Sequence, residues 1–324
     1  EESCRASSHH RPFKKTPNIE QLSTRERIEW VDRHHQEVGS KKEACKIMGL
    51  SMSTYYHAPK KTRAEQEEED ADIRGKIEQI RVELKGAGYR PLLRHLQRNG
   101  VKIGETKLRR IMKKFELHIK PKKQFVVTTD SNHDCLVYPN LLEEMTIDGV
   151  NQVWTADITY IRIANGFVYL AVVLDLFSRK VIGYSISKRI DRDLTISALR
   201  MALLRRRPPP GVIHHSDRGV QYLCDDYVQL LADNGFHISC SRKGNPYDNA
   251  WTESFMKTLK HEEIYMGHYE TYLDVVENLP HFIEEIYNKK RLHSSLGYLP
   301  PEEFEEQIKM KYKGEESDRM KFRL

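Results

Sequence analysis

NQVWTADITYIRIANGFVYLAVVLDLFSRKVIGYSIS, residues 151–187, holds three runs rich in β-branched and aromatic residues: VWTADITYI, GFVYLAVVLDLFS and KVIGYSIS. The breaks between them, Ala164-Asn165-Gly166 and Ser178-Arg179-Lys180, are short enough to require antiparallel hairpin neighbours. In the first run Trp154, Ala156, Ile158 and Tyr160 share one face, and Asp157 takes the other. A carboxylate in mid-strand is costly to bury unless it is paired or metal-bound.

Downstream, DRDLTISALRMALLRRR predicts a helix with Leu194, Ala198, Met201 and Leu204 in phase, stopped at Pro208. GVIHHSD reads as a strand, DDYVQLLADNG as a helix ended by Gly235, and FHISCS as another strand. KGNPYDNA reads as a loop. AWTESFMKTLKHEEI reads as a helix with Trp251, Phe255 and Leu259 on its apolar face, capped by Asp248 or Asn249. The order βββαβαβα predicts an α/β mixed sheet covered by helices, with the first strand central. It is the element order of ribonuclease H-like folds.

Three carboxylates converge on one edge of such a sheet: Asp157 in the first strand, Asp217 at the end of the fourth, and Glu253 early in the last helix. Like charges brought together raise one another's pKa unless a cation neutralises them. An oxygen-only donor set suits Mg²⁺ or Mn²⁺ rather than zinc. Two such ions can activate a hydroxyl and stabilise the leaving oxygen of a phosphodiester. Lys257 and Lys260 on the following turns are candidate DNA contacts. Other readings compete. His214 and His215 lack zinc-ligand partners, and one is expected in the core or beside the site, the other at the surface. Ser216 lacks a nucleophile elbow. Asp175, before the second turn, is expected to cap that turn.

Upstream, the chain reads as all-α. Ser23-Thr-Arg-Glu26 and Ser40-Lys-Lys-Glu43 are capping boxes, and a short third helix starts at Ser51 and stops at Pro59. Helix, turn and short helix form a helix-turn-helix. A charged connecting helix with Ile73, Ile77, Ile80 and Leu84 in phase follows, then a second helix-turn-helix. In the latter Leu108, Ile111, Met112 and Phe115 form the inner face, while Lys107, Arg109, Arg110, Lys113 and Lys114 form an outer face of one sign. Such a face suits phosphate and base contacts in a major groove. The expected division is 1–60 first helix-turn-helix, 61–84 connecting helix, 85–119 second helix-turn-helix, 120–147 linker with the basic knot Lys120–Lys123, 148–265 catalytic core, and 266–324 helical tail.

Charged residues make up 31% and apolar residues 39% of the 324, and no apolar run is long enough to span a bilayer. The opening residues EESCRASSHHRPF lack a starting methionine and carry no signal peptide, which fits a processed, truncated or fused start. Five scattered cysteines without a C-x-x-C argue for a reducing compartment and against a structural zinc site. A net charge of +6 is a mild basic excess.

Asp157, Asp217 and Glu253, with 35 residues between the last two, resemble the DD(35)E signature of retroviral-type integrases and transposases. NQVWTADITYI, LAVVLDLFSRKVIGYSIS, HHSDRGVQY, SRKGNPYDNAWTESFMKTLKHE and YNKKRLHSSLGYLPPEEFE are similar to transposases of the bacterial group founded by insertion sequence three. The likeness runs from about Arg25 to Phe304 and includes GYRPLLRHLQRNGVKIGETKLRRIM. It implies that Asp157, Asp217 and Glu253 are catalytic ligands of Mg²⁺ or Mn²⁺, with two ions expected, and that Lys260 touches DNA. It also implies cleavage and strand transfer of element ends, and copy-out-paste-in transposition through a circle. The implied partners are double-stranded DNA (terminal repeats and target) and further copies of the chain, with no membrane, in the bacterial cytoplasm at the nucleoid. Asn288, Arg291 and His293–Tyr298 match a C-terminal motif of the group, to which the sequence assigns no role. The group commonly joins an upstream zipper segment by frameshifting, and no heptad zipper is visible here. A retroviral integrase would carry a C-x-x-C zinc module, which is lacking. The alternative of another class is a non-catalytic, transposase-derived DNA-binding regulator.

Overall fold

The computed structural model describes residues 18–57, 63–119, 137–143, 145–242 and 249–321. Pro59, the knot Lys120–Lys123, Asp248 and most of the KGNPYDNA loop lie outside them. The chain forms two compact units, Glu1–Asp70 and Ala71–Leu324.

In the first unit, α1 (Thr24–Val38), α2 (Lys41–Ile47) and α3 (Met52–His57) close on Trp30, Val31, Ala44, Cys45, Met48 and Tyr55. Ser23 and Glu26 form the reciprocal capping box that the sequence predicts. The N–H groups of Glu43 and Thr54 donate to Ser40 Oγ and Ser51 Oγ. α4 (Arg63–Glu83) follows.

The second unit is built on five strands: β1 (Val153–Ile163), β2 (Gly166–Asp175), β3 (Val181–Ser187), β4 (Ile213–Ser216) and β5 (His237–Cys240). Their order in the sheet is β3-β2-β1-β4-β5. β1, β2 and β3 are antiparallel neighbours, while β4 pairs parallel with both β1 and β5. This is the mixed ribonuclease H-like sheet with β1 at its centre.

Alternation along the strands feeds two cores. Trp154, Ala156, Ala171, Val173 and Ile182 pack beneath α7 (Arg192–Arg206) and α9 (Asp225–Asp233), with the single turn α8 (Val220–Leu223) between those helices in sequence. Ile161, Val168, Leu170, Val172 and Leu174 join a larger core with α10 (Ala250–Leu259) and α11 (Tyr272–His281). That core also takes Ile73, Ile77 and Leu84 of α4, and the inner faces of α5 (Tyr89–Arg98) and α6 (Glu105–Lys114). α12 (Pro301–Lys321) ends the described chain.

The stripe expected on α7 is rotated. Leu204 is exposed, and Leu194, Thr195, Ala198, Leu199 and Ala202 are buried, because small residues let this helix lie directly on β3. A Cβ at Gly183 would stand 2.3 Å from the Ala198 carbonyl oxygen and 2.8 Å from the Ala202 nitrogen. Gly183→Ala must therefore push α7 off the sheet. The expected cost is about 1–3 kcal/mol, read as a lower thermal midpoint by circular dichroism. An unchanged midpoint would mean the helix shifts freely.

The C-terminal motif, which carried no role in the sequence, binds the second unit together. Asn288 pairs with the edge strand β3 as a strand would: its Oδ1 accepts from Val181 N–H at 3.0 Å, and its Nδ2 donates to the Val181 carbonyl at 2.9 Å. Arg291 donates to both carboxylate oxygens of Glu262, at 2.9 and 2.8 Å. Arg94 of α5 lies 4.4 Å over the Tyr298 ring, and Arg98 pairs with Glu303 at 2.8 Å. The helix pair α5 and α6 is thereby fastened to the tail. Among the described residues no helix is long and apolar enough to cross a membrane.

Candidate active site

β4 accompanies β1 only from Val153–Thr155, paired with Ile213–His215. Asp157 lies two residues beyond the last paired position of β1, and Asp217 directly follows β4. Both carboxylates therefore stand where two parallel strands part at their carboxyl ends, where open α/β sheets leave a crevice.

Asp157 is half-buried, and its Oδ1 accepts from Ile158 N–H at 2.8 Å. Burial, and then the charge of Asp217, raise its pKa from 3.8 to about 7; Glu253 adds to the rise and Lys260 opposes it. Asp217 folds back on its own loop, accepting from Gly219 N–H at 3.0 Å. A Cβ at Gly219 would itself sit 3.0 Å from that oxygen, which favours glycine there.

Glu253 arrives on α10, where it is exposed. Its neighbour Thr252 donates to Thr155 Oγ1 at 2.9 Å, and both threonines are fully buried. This bond ties the first turns of α10 to β1 two residues before Asp157, and so positions the third carboxylate. Sequence reasoning missed the pair; its signal was a threonine two residues before Asp157 and another directly before Glu253. Asn249 precedes the helix but makes no side-chain cap, correcting the expectation for that residue. Trp251 is also turned outward, with Arg179 5.5 Å over its ring, and Thr252, Phe255, Met256 and Leu259 form the buried face instead.

After Leu259 the helix widens into a π-turn, Lys260–Ile264, a departure that helical periodicity did not predict. Such turns recur at functional sites. It begins at Lys260, half-buried, whose Nζ lies 4.5 Å over the Tyr160 ring. Burial lowers the Lys260 pKa, and the charge of Asp157 opposes that shift. Lys257 is exposed.

The histidines of HHSDRGVQY are both buried, which corrects the expectation that one lies at the surface. His215 sits between Ser239 Oγ at 2.8 Å and Ser241 Oγ at 3.2 Å. His214 Nε2 meets the Tyr227 hydroxyl at 2.9 Å, and burial lowers its pKa to about 3, so it is neutral. Ser216 Oγ donates to the Asp217 carbonyl. These residues build the strand end. Asp175 is fully buried and accepts from the N–H groups of Asn151, Phe177 and Ser178, the turn-capping role expected for it. On α6, Arg110, Lys113 and Lys114 are exposed and Lys107 is half-buried. Arg109 is held against Tyr89, 4.1 Å over its ring, and against Glu105 at 2.7 Å.

Among the described residues no three acidic, histidine or cysteine side chains close into a complete metal cage. The donor chemistry nevertheless fits a hard divalent cation. Asp157 and Asp217 are two oxygen donors near enough to repel, and the buried Tyr222 hydroxyl, which feels both charges, has no hydrogen-bond partner among the described residues. In metal-free buffer the raised pKa of Asp157 has a defined sign. The unfolded chain releases this proton near 3.8 and the folded one near 7, so stability falls as pH rises between those values. Asp157→Asn should therefore melt above the wild type at pH 8, by at most about 2–4 kcal/mol, and coincide with it near pH 4. Equal midpoints at pH 8 would show a solvated carboxylate.

Two family models, both described as integrase core domain, match residues 148–246 and 234–301. The chain is 38% identical to the 31 kDa protein of insertion element IS600 of Shigella sonnei, over 81% of this chain and 97% of that one. It is 37% identical to the transposase for insertion sequence element IS904 of Lactococcus lactis, over 71% and 92%. It is 44% identical to transposase InsF for insertion sequence IS3fB of Escherichia coli, over 59% and 67%. With the sheet order and the paired aspartates at its crevice, these matches establish that the chain belongs to the integrase-core transposases of bacterial insertion sequences, in the group of IS3.

Proposed function

We propose that the chain cleaves the ends of an insertion sequence and joins them to a second site, with Asp157, Asp217 and Glu253 as the metal-binding catalytic carboxylates. The observation that carries this reading is the Asp157–Asp217 pair, two repelling acids at the mouth of a parted parallel strand pair. Magnesium or manganese, two ions in this reading, would supply the charge that activates a hydroxyl and stabilises a leaving oxygen. Asp157 gives up its proton to become a ligand, and its own neighbour's N–H keeps the carboxylate oriented. Lys260 offsets negative charge beside the acids.

The first step is hydrolysis of a phosphodiester at the element end, leaving a 3′-hydroxyl. In the second, that hydroxyl attacks another phosphodiester, so one P–O bond forms as one breaks and no side chain becomes covalently linked. Exposed Arg110, Lys113 and Lys114, with Lys107, would grip phosphates of the terminal repeat, while Arg109 is oriented by Tyr89. Lys257 would meet DNA one turn beyond Glu253. Copies of the chain would pair two ends, and the copied circle would be the intermediate.

The test is direct. Full-length protein is incubated with labelled candidate ends and Mg²⁺, and nicked and joined products are mapped. Cuts at the element boundary followed by joining are expected; binding without any cut would point to a DNA-binding regulator.

A further inference from the structure

Beside the acids, on the side of Lys260, lies a cleft of about 300 Å³ walled by Tyr160, Arg162, Lys260, Ile264, Tyr265 and Tyr269. Its composition is not that of a core. Three aromatic rings stand with two cations, and Arg162 is exposed. Lys260 lies over the Tyr160 ring, and the Tyr265 hydroxyl is perturbed first by burial and then by Tyr160, so both rings share the cavity. Tyr269 is fixed by donating to Glu263 at 2.7 Å, and Glu263 is buried. The π-turn delivers Lys260, Ile264 and Tyr265 to one wall, and the end of β1 forms the other.

Rings bind the face of any base, and cations meet the backbone phosphate that accompanies it. The cleft has the volume of a small-ligand pocket and is too small for a base pair. Alternation puts Tyr160 and Asp157 on opposite faces of β1, but Lys260 lies over the Tyr160 ring and meets the Asp157 charge, and along the strand the two residues are about 10 Å apart. At about 3.4 Å per nucleotide of duplex, that corresponds to roughly three positions from a phosphate held at Asp157. We infer that one base of the element end, within about three nucleotides of the cut, leaves the duplex and stacks in this cleft with its phosphate on Arg162 or Lys260. The inference rests on the proposed reaction to the extent that the DNA end is the ligand.

The experiment measures binding of full-length protein to labelled duplex ends without divalent metal. Each of the first nucleotides flanking the cut is replaced in turn by a mismatched or an abasic one. At one position a mismatch should tighten binding several-fold, because less pairing is lost on extrusion. Tyr265→Ala should weaken binding of the intact end about 5- to 100-fold, and have no further effect on an end abasic at that same position. Tyr265→Phe, which keeps the ring, should bind as the wild type does, and thermal midpoints of both variants establish that they fold. Equal losses for intact and abasic ends at every position would overturn the inference. Coupling at one position in a protein that never cuts would leave the cleft assigned and the reaction refuted. Cutting without coupling would do the reverse.

Discussion

Asp217→Asn or Glu253→Gln should lower cleavage of a labelled element end in Mg²⁺ by at least about 10³-fold, with end binding within about twofold of wild type. The amides keep the shape of the side chains. In Asp217→Asn the amide oxygen still accepts from Gly219 N–H, so the loop after β4 should hold its form. What each variant loses is the one negative charge that would face a cation in the proposed reaction, which hydrogen bonding does not replace. Glu253 is exposed and off the buried face of α10, so Glu253→Gln separates chemistry from folding. Full strand transfer by either variant would sink the assignment. Loss in Asp217→Asn alone would place the third ligand elsewhere.

Arg291→Ala should cost about 3–5 kcal/mol, seen as a fall of roughly 10 °C in the melting of the second unit. Both partners of the pair are nearly enclosed, with 17% and 13% of their side chains exposed. Removing the guanidinium leaves Glu262 burdened with an uncompensated charge. The paired replacement Arg291→Met with Glu262→Leu should recover much of the loss, since an apolar pair of similar size has no charge to desolvate. Glu262 belongs to the π-turn that begins at Lys260, and a Cβ at Gly86 would stand 2.3 Å from the Glu262 Cα. The turn is thus wedged between the chain before α5 and the tail. A midpoint unchanged in Arg291→Ala would show the pair to be solvent-screened.

How legible this was in the sequence depended on whether a residue's role followed a period. The hairpins of residues 151–187 announced themselves through alternation and short breaks, and β1 is central as expected. Asp217 was placed by the end of a strand, and Asp157 by its mid-strand position on the face away from Trp154 and Ala156. Other features answered to partners far along the chain. Thr155 and Thr252, 97 residues apart, read separately as ordinary strand and helix threonines. The π-turn looked like continuing helix because Leu259 and Glu263 keep helical spacing, while the contacts that crowd and hold it, at Gly86 and Arg291, lie far along the chain. The stripe on α7 was misplaced because Gly183 lies in another element. His214 and His215 looked reactive because they are adjacent, yet successive strand residues face opposite ways and each serves a different side of the sheet.

The bonding of β3 bears on where the chain can be cut. β3 is one of the two edge strands, and a bare strand edge is a template for pairing with other molecules. Here Asn288 occupies the Val181 end, and the Tyr272 hydroxyl donates to the Ile186 carbonyl at 3.4 Å near the other. Both shields come from beyond residue 265, where a catalytic core drawn from sequence would stop. An isolated core ending there would expose Val-Ile-Gly-Tyr-Ser-Ile along an edge stripped of both shields and tend toward fibrous aggregates, so the tail also guards the chain against self-association.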